Sequence, residues 1–515
     1  MKKRIAAFAV CLACLVILGP AAVTLPGRDQ AAYALGGKAI LEGGGPYRDV
    51  FDVHDPGVQL FNVIGSSFKT WKWETPGVLT LAWQLLTALM LFLFCEERLK
   101  SRLAGIIAAV VYSVSITSLG FEGQGQPETF VALPLVLALF AWTRENRSRG
   151  SRFAGGLCVG AATLFSLNAF WAFAGYVVYR AVLKRAEKEA GRVRYGTYEL
   201  LGFLAVIGAC AALATAEGWL VPYFKLRFVF APAYESSLRG GHTIFRHLLD
   251  MARGLARPVE PPVVAAGLAL AAVGAWRRWI DRGPAALLIA TTISLVFSFA
   301  LRTVALPHQG ALYWGAGMPL LGYAVSGATG RLKQRFGSRM SGGAVSALVV
   351  VAVIAASPVS SAITKMNDLG AWLAGEDIVT FNGRFADAGS GFDAAEVRKA
   401  AAWIEANTAA SDGIVVYGNE PGLFLFSGRR AACGLTNILP VAAIRPAGAE
   451  KPWLECVSAE QPKAIAVIED ARTWTRGYEI QGAHRTTVDP WTRKILKEDY
   501  VLKKKAGAID LYLRK

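Results

Sequence analysis

Between Gly27 and Gly57 the chain reads GRDQAAYALGGKAILEGGGPYRDVFDVHDPG, which sets Asp29, Asp49, Asp52, His54 and Asp55 in one short stretch directly after an apolar run. Clustered carboxylates suit proton abstraction from a nucleophile, and a histidine that is protonated or donates a hydrogen bond can hold a phosphate. Groups of the same kinds recur downstream. FEGQGQPETF carries Glu122, Gln124, Gln126 and Glu128, and RTVALPHQGALYW carries Arg302 and His308. The stretch from Tyr223 to Pro262 spreads Lys225, Arg227, Arg239, Arg246, Arg253 and Arg257 among aromatic and aliphatic residues. Together they suit a reaction in which an acid activates a nucleophile while cations stabilise a departing phosphate.

Each group also has a plainer reading. Asp29 would cap a helix beginning near Ala31, and Glu128 would complement the dipole of the helix it starts. Asp49 and Asp52 are turn formers. The basic stretch is either a holder of anionic headgroups or an amphipathic helix lying in the bilayer interface.

The elements that must position these residues are membrane helices. Of 515 residues, 54% are hydrophobic and only 18% charged, with a mean hydropathy of +0.37, which excludes an ordinary soluble protein. Apolar runs able to cross roughly 30 Å of hydrocarbon predict about eleven spans, at about 5–24, 76–95, 103–118, 128–143, 153–167, 169–184, 198–217, 262–276, 285–301, 309–327 and 343–362. The first follows Lys2, Lys3 and Arg4, so it is either a cleaved signal peptide or a retained helix; retention gives every later loop a consistent side.

The connections EERLKSR, TRENRSRGSR, KRAEKEAGRVRYG, RRWIDRG and RLKQRFGSR all carry net positive charge and alternate with the other loops, as cytoplasmic loops do. This places all the candidate residues on the outer side of a multi-pass plasma (inner) membrane protein. The predicted architecture is mainly α-helical and polytopic, with a transmembrane module over 1–365 and an extracytoplasmic α/β domain over 366–515. The module has outer loops at 26–75 and 218–262. In the α/β domain, AAEVRKAAAWIEANT reads as a helix and GIVVYGN and KAIAVIED as buried strands. PGLFLFSGRR reads as a turn with a helix or strand, and the final YVLKKKAGAIDLYLRK as a hairpin of two edge strands. The formal charge of +17 is topology signal and membrane-surface attraction rather than a nucleic-acid footprint. Five cysteines lie in or beside apolar helices; Cys433 and Cys456, in the outer domain, are either a disulfide or two buried thiols.

Outside the plasma membrane there is no supply of nucleotide sugars, so an activated donor must arrive on a lipid, and a polyprenyl-phosphate sugar meets that requirement. The opening stretch, with Asp29-Gln30, Tyr33, Gly36, ILEGGGPYRD and FDVHDPG, resembles the first outer loop of GT-C fold membrane glycosyltransferases. It is most similar to glycosyltransferase family 39, with the protein O-mannosyltransferases and the aminoarabinose transferases of lipid A. The likeness extends to Glu128 at a helix start, to LPHQGALYWGAGMPLL and to IEANTAASDGIVVYGNEPGLFLFSGRR.

The resemblance implies inverting transfer of a sugar from a polyprenyl phosphate to a lipid, glycan or protein acceptor. It implies Asp29 as the base, with Asp49 and Asp52 as supports for the sugar or the loop. His54, Arg227, Arg246 and Arg302 would serve the donor phosphate, with Glu122, Glu128 and His308 as further substrate contacts. Gln30 departs from the family's glutamate and cannot ionise. Asp55 stands where relatives have proline and gains no role. A divalent cation is left open as a cofactor, because spacing fixes no compact set of oxygen ligands. The competing class, a lipid or sugar transporter or flippase, calls for charged or broken helices at the bilayer midplane, whereas these spans are almost free of interior charge.

Overall fold

The computed structural model describes residues 2–67, 75–144, 148–187, 196–232, 260–300, 307–336, 359–387, 392–434, 436, 451–468 and 488–515. The chain divides into two compact units. One comprises Met1–Val23, Val78–Cys210 and Ile244–Gly370, and the other Thr24–Gly77, Ala211–Thr243 and Ala371–Lys515.

The first unit is a bundle of helices. Among the described residues three helical runs are long and apolar enough to cross a membrane, Arg4–Val23, Gly77–Glu97 and Thr197–Ala216, and shorter apolar helices cover Arg102–Ser118, Pro127–Trp142, Gly267–Trp276 and Arg282–Ser298. The expected span at about 343–362 lies outside the described residues except for its last turn. Ser101 and Ser148 cap their helices by accepting from the Ala104 and Ser151 amides, satisfying donors that a helix start otherwise leaves open.

Small residues allow backbone contact between neighbouring helices. A Cβ on Gly156 would stand 1.9 Å from the Glu199 carbonyl oxygen, and one on Gly202 2.1 Å from that of Phe153. This approach joins the helices Arg149–Phe165 and Thr197–Ala216 and brings Arg152 onto Glu199, whose carboxylate accepts from Arg152 Nε and Nη2 at 2.8 and 3.0 Å and from the Tyr176 hydroxyl at 2.8 Å. Glu199 is fully buried. This acid, in the first turn of its helix, is admitted because a bidentate arginine and a phenol satisfy it.

In the second unit, helix Arg28–Leu41 packs on helix Gly57–Ser67. The paired glycines of ALGGK make this contact, since a Cβ on Gly37 would lie 2.6 Å from the Asn62 carbonyl carbon. The carboxyl-terminal third forms a small antiparallel ribbon, β1 (Ala386–Asp387) and β2 (Phe392–Asp393), and a five-stranded sheet. The sheet strands are β3 (Gly413–Tyr417), β4 (Arg430–Ala431), β5 (Ala464–Ile468), β6 (Tyr500–Ala506) and β7 (Ile509–Arg514), in the order β4-β3-β5-β7-β6. β3 runs parallel to β4 and β5, and β7 antiparallel to β5 and β6.

Val415, Ala432, Val457, Ile465 and Tyr500 form a buried core. Burial pushes the Tyr500 phenol up to about 12, and its hydroxyl donates to the Pro462 carbonyl at 2.6 Å. Helix Ala394–Asn407 is capped by Asp393, which accepts from the Ala395 and Glu396 amides. The segment after Pro421 is a helix, Gly422–Ser427, ended by Gly428 at φ 67, a left-handed conformation that favours glycine. The terminal hairpin differs from a pair of edge strands: β6 is the edge and β7 lies inside. The lysines 503–505 stay exposed on β6, while Ile509 and Leu511 of β7 are buried.

Candidate active site

Asp29 occupies the first turn of helix Arg28–Leu41. The helix starts earlier than the expected Ala31, and its N-cap is Gly27, with no side-chain capping bond. Asp29 is therefore not the cap. Its carboxylate is half-buried at the start of that helix. The flanking residues are anchored. Arg28, 10% exposed, donates Nε to Glu420 Oε2 at 3.1 Å, and Glu420 is 2% exposed. Arg28 also lies over the Phe392 ring, 5.5 Å from its centroid, and Gln30 is buried.

One turn on from Asp29, Tyr33 meets the His54 ring edge-on at 5.1 Å. His54 is oriented from behind by Asp52, a buried acid whose Oδ1 lies 2.6 Å from His54 Nδ1 and accepts from the His54 amide at 3.0 Å. The Gln59 side-chain amide donates to the other carboxylate oxygen. In the neutral ring the proton therefore sits on Nδ1, facing Asp52, and Nε2 is the acceptor-capable nitrogen. The Tyr47 hydroxyl donates to the His54 carbonyl at 2.9 Å, and Tyr47 holds a left-handed φ of 87, a strained conformation for a bulky residue that its surroundings must enforce.

Asp49 is exposed and closes a turn: its Oδ2 accepts from the Gly45 amide at 2.7 Å and from Arg48 Nη2 at 3.0 Å. That carboxylate holds the Arg48 guanidinium above its usual range. Asp55, given no role by the sequence, is buried and accepts from Arg227 Nε and the Tyr223 hydroxyl, both at 3.0 Å. Arg227 sits in a π-helical turn, Lys225–Phe230, a rare geometry that occurs often at functional sites. The pair ties the acid-bearing loop to the residues after helix Thr197–Ala216. Arg246 and Arg302 lie outside the described residues.

The first unit holds the other candidates. Glu122 lies in the short helix Gly120–Gln124 and buried Glu128 in Pro127–Phe130. The loop is held by its own amides: Gln124 Nε2 donates to the Thr117 carbonyl at 3.1 Å and Gln126 Nε2 to that of Glu122 at 2.9 Å. Thr129 Oγ1 donates back to the Gln124 and Gln126 carbonyls. His308 borders the same loop, since a Cβ on Gly123 would lie 3.7 Å from His308 Cβ. Among the described residues one His/Cys/Asp/Glu group is compact enough to share a metal ion, Cys433, Cys456 and Glu460, and its two cysteines form a disulfide.

Asp55 and Glu420 are the residues that sequence reasoning missed. Their roles come from partners distant in sequence, although the acid in YGNEPG, just after a buried strand, was a local signal.

No family model matches the chain, and no curated protein matches it. Solved structures do. The archaeal oligosaccharyltransferase AglB from Archaeoglobus fulgidus, in complex with an inhibitory peptide and a dolichol-phosphate, superposes with a TM-score of 0.54 at 12% identity, covering 100% of this chain and 74% of that one. ArnT from Cupriavidus metallidurans in the apo state gives 0.58 at 13% identity, covering 99% and 97%. The same enzyme bound to undecaprenyl phosphate gives 0.54 at 13%, covering 99% and 98%. The chain shares the fold of these solved structures, the GT-C fold.

Proposed function

We propose that this protein is a membrane glycosyltransferase that moves a sugar from a polyprenyl phosphate to a lipid, glycan or protein acceptor on the outer face of the plasma membrane. The observation that carries the reading is the shared scaffold of Asp29 and His54. One helix bears Asp29 in its first turn and, a turn later, Tyr33 against the His54 ring, which Asp52 holds in a single tautomer. Two of the similar structures hold a dolichol-phosphate and undecaprenyl phosphate, which supports the donor class.

In the proposed reaction Asp29 takes the proton from an acceptor hydroxyl or amine. The nucleophile attacks the anomeric carbon from the face opposite the phosphate, and the bond from that carbon to the phosphate oxygen breaks with inversion. Polyprenyl phosphate leaves, its charge met by His54 in its doubly protonated form, with Nδ1–H held by Asp52 and Nε2–H turned to the phosphate, and by Arg227 in the orientation that Asp55 gives it. Asp49 keeps the loop turn closed, and Glu122, Glu128 and His308 form a second polar group for substrate. A divalent ion stays open as a cofactor, and no step is routed through one.

The reading is tested by incubating purified protein with a labelled polyprenyl-phosphate sugar and candidate acceptors. Release of polyprenyl phosphate that requires Asp29 supports it. Equal release by the Asp29→Asn protein overturns the assignment of the base, and no release with any acceptor class overturns the function.

A further inference from the structure

Cys433 and Cys456 form a disulfide that joins the turn Ala432–Gly434 to helix Lys451–Glu460. Both ends rest on the sheet core: Cys433 packs against it, and Val457, next to Cys456, is part of it. The turn is sharply bent, with Cys433 at φ 63 and Gly434 at φ 70. Its outer side meets the acid-bearing loop. A Cβ on Gly434 would stand 3.3 Å from the Arg48 carbonyl oxygen and 3.8 Å from Asp49 Cα. Two residues on, buried Thr436 donates Oγ1 to the Phe51 carbonyl at 3.4 Å. These contacts cover Arg48 to Phe51, the segment that leads directly into Asp52 and His54.

We infer that the Cys433–Cys456 disulfide is a redox-sensitive clamp that positions the loop carrying Asp52 and His54, so that sugar transfer runs at full rate only in the oxidised protein. The inference rests on the transferase reading proposed above. The cysteines touch no reacting atom; they act through Gly434 and Thr436. The switching reagent is an external dithiol, such as a thiol–disulfide oxidoreductase. One of its thiolates attacks a cystine sulfur, the S–S bond breaks and a mixed disulfide forms; its second thiol then displaces the cysteine. Two electrons and two protons pass to Cys433 and Cys456, and the dithiol ends as its own disulfide. Without the crosslink the turn regains freedom that the closed loop denied it, and the loop it braces loosens.

Hydrogen exchange read by mass spectrometry, run beside the transfer assay, decides the matter. In protein reduced with dithiothreitol, exchange across 45–54 should rise about tenfold while helix Thr197–Ala216 stays unchanged. Transfer should fall about tenfold and return on reoxidation, a loss in keeping with a slightly misplaced contact. The Cys433→Ser/Cys456→Ser protein should sit at the reduced level and ignore the reductant. Thr436→Val, with the disulfide intact, should reproduce part of the exchange rise, whereas a crosslink that only stabilises the domain would change melting and leave 45–54 as it was. Unchanged exchange across 45–54 in the reduced protein overturns the clamp, as does full transfer by reduced protein. If exchange rises but neither redox state transfers sugar, the clamp on the loop stands and the transferase reading fails.

Discussion

Arg227 Nε stands 3.0 Å from Asp55 Oδ1, across 172 residues of sequence, and the two side chains are unequally hidden, at 22% and 5% exposure. The inequality sets the cost of breaking the pair. In Arg227→Met, Asp55 is left a buried carboxylate with only the Tyr223 hydroxyl of its two described partners, and the loss should approach about 3 kcal/mol. In Asp55→Asn, Arg227 can still turn toward water, and the loss should be about 1 kcal/mol. Denaturant unfolding in detergent measures both, and equal losses would contradict the asymmetry.

Asp29→Asn should separate chemistry from folding. The side chain is half exposed and Asn keeps its size and hydrogen-bonding capacity, so melting should shift little. Transfer should drop by about two to four orders of magnitude, the usual contribution of a general base.

Asp52→Asn should behave differently. It disturbs a buried acceptor that engages the His54 ring, the His54 amide and the Gln59 amide together, so stability should fall by about 1–3 kcal/mol. The asparagine can turn its own N–H toward Nδ1, which would move the ring proton to Nε2. The histidine proton resonances of the variant report that exchange of tautomers, and an unchanged ring would show that Asp52 does not set it.

Gly37→Ala tests the packing under the site. Its new methyl would meet the Asn62 carbonyl carbon at 2.6 Å, backbone that cannot step aside, and overpacking of this kind costs about 1–3 kcal/mol. Glu199→Ala, in the other unit, should cost about 1–3 kcal/mol by taking a fully buried acceptor away from Arg152 and the Tyr176 hydroxyl. Melting of each variant against the parent checks both.

What could be read in the sequence follows the range of the forces involved. The strands Gly413–Tyr417 and Ala464–Ile468 and the helix Ala394–Asn407 were legible because propensity, periodicity and the Asp393 cap act over a few residues. The acid-bearing loop stood out in the sequence by its density of carboxylates. The start of the Asp29 helix was misplaced because Gly27 caps it with no side chain to signal the position. Asp55, Glu420 and Glu199 had no readable roles, since each is decided by an arginine that only tertiary packing brings close. The interior place of β7 likewise depends on its register with β5, which the hairpin pattern does not contain. The pairing of Cys433 with Cys456 was undecidable from two thiols.

The bond from Arg28 to Glu420 spans 392 residues and closes at both ends on buried side chains. The carboxyl-terminal third is consequently not an exchangeable module. A chimera that replaced it with the equivalent part of another protein of this fold would take Glu420 away from the buried Arg28 guanidinium, unless position 28 or its acceptor travelled with the graft. Inheritance of the two halves is coupled at that residue, and recombination between relatives should succeed only where both ends of the bond come from one parent.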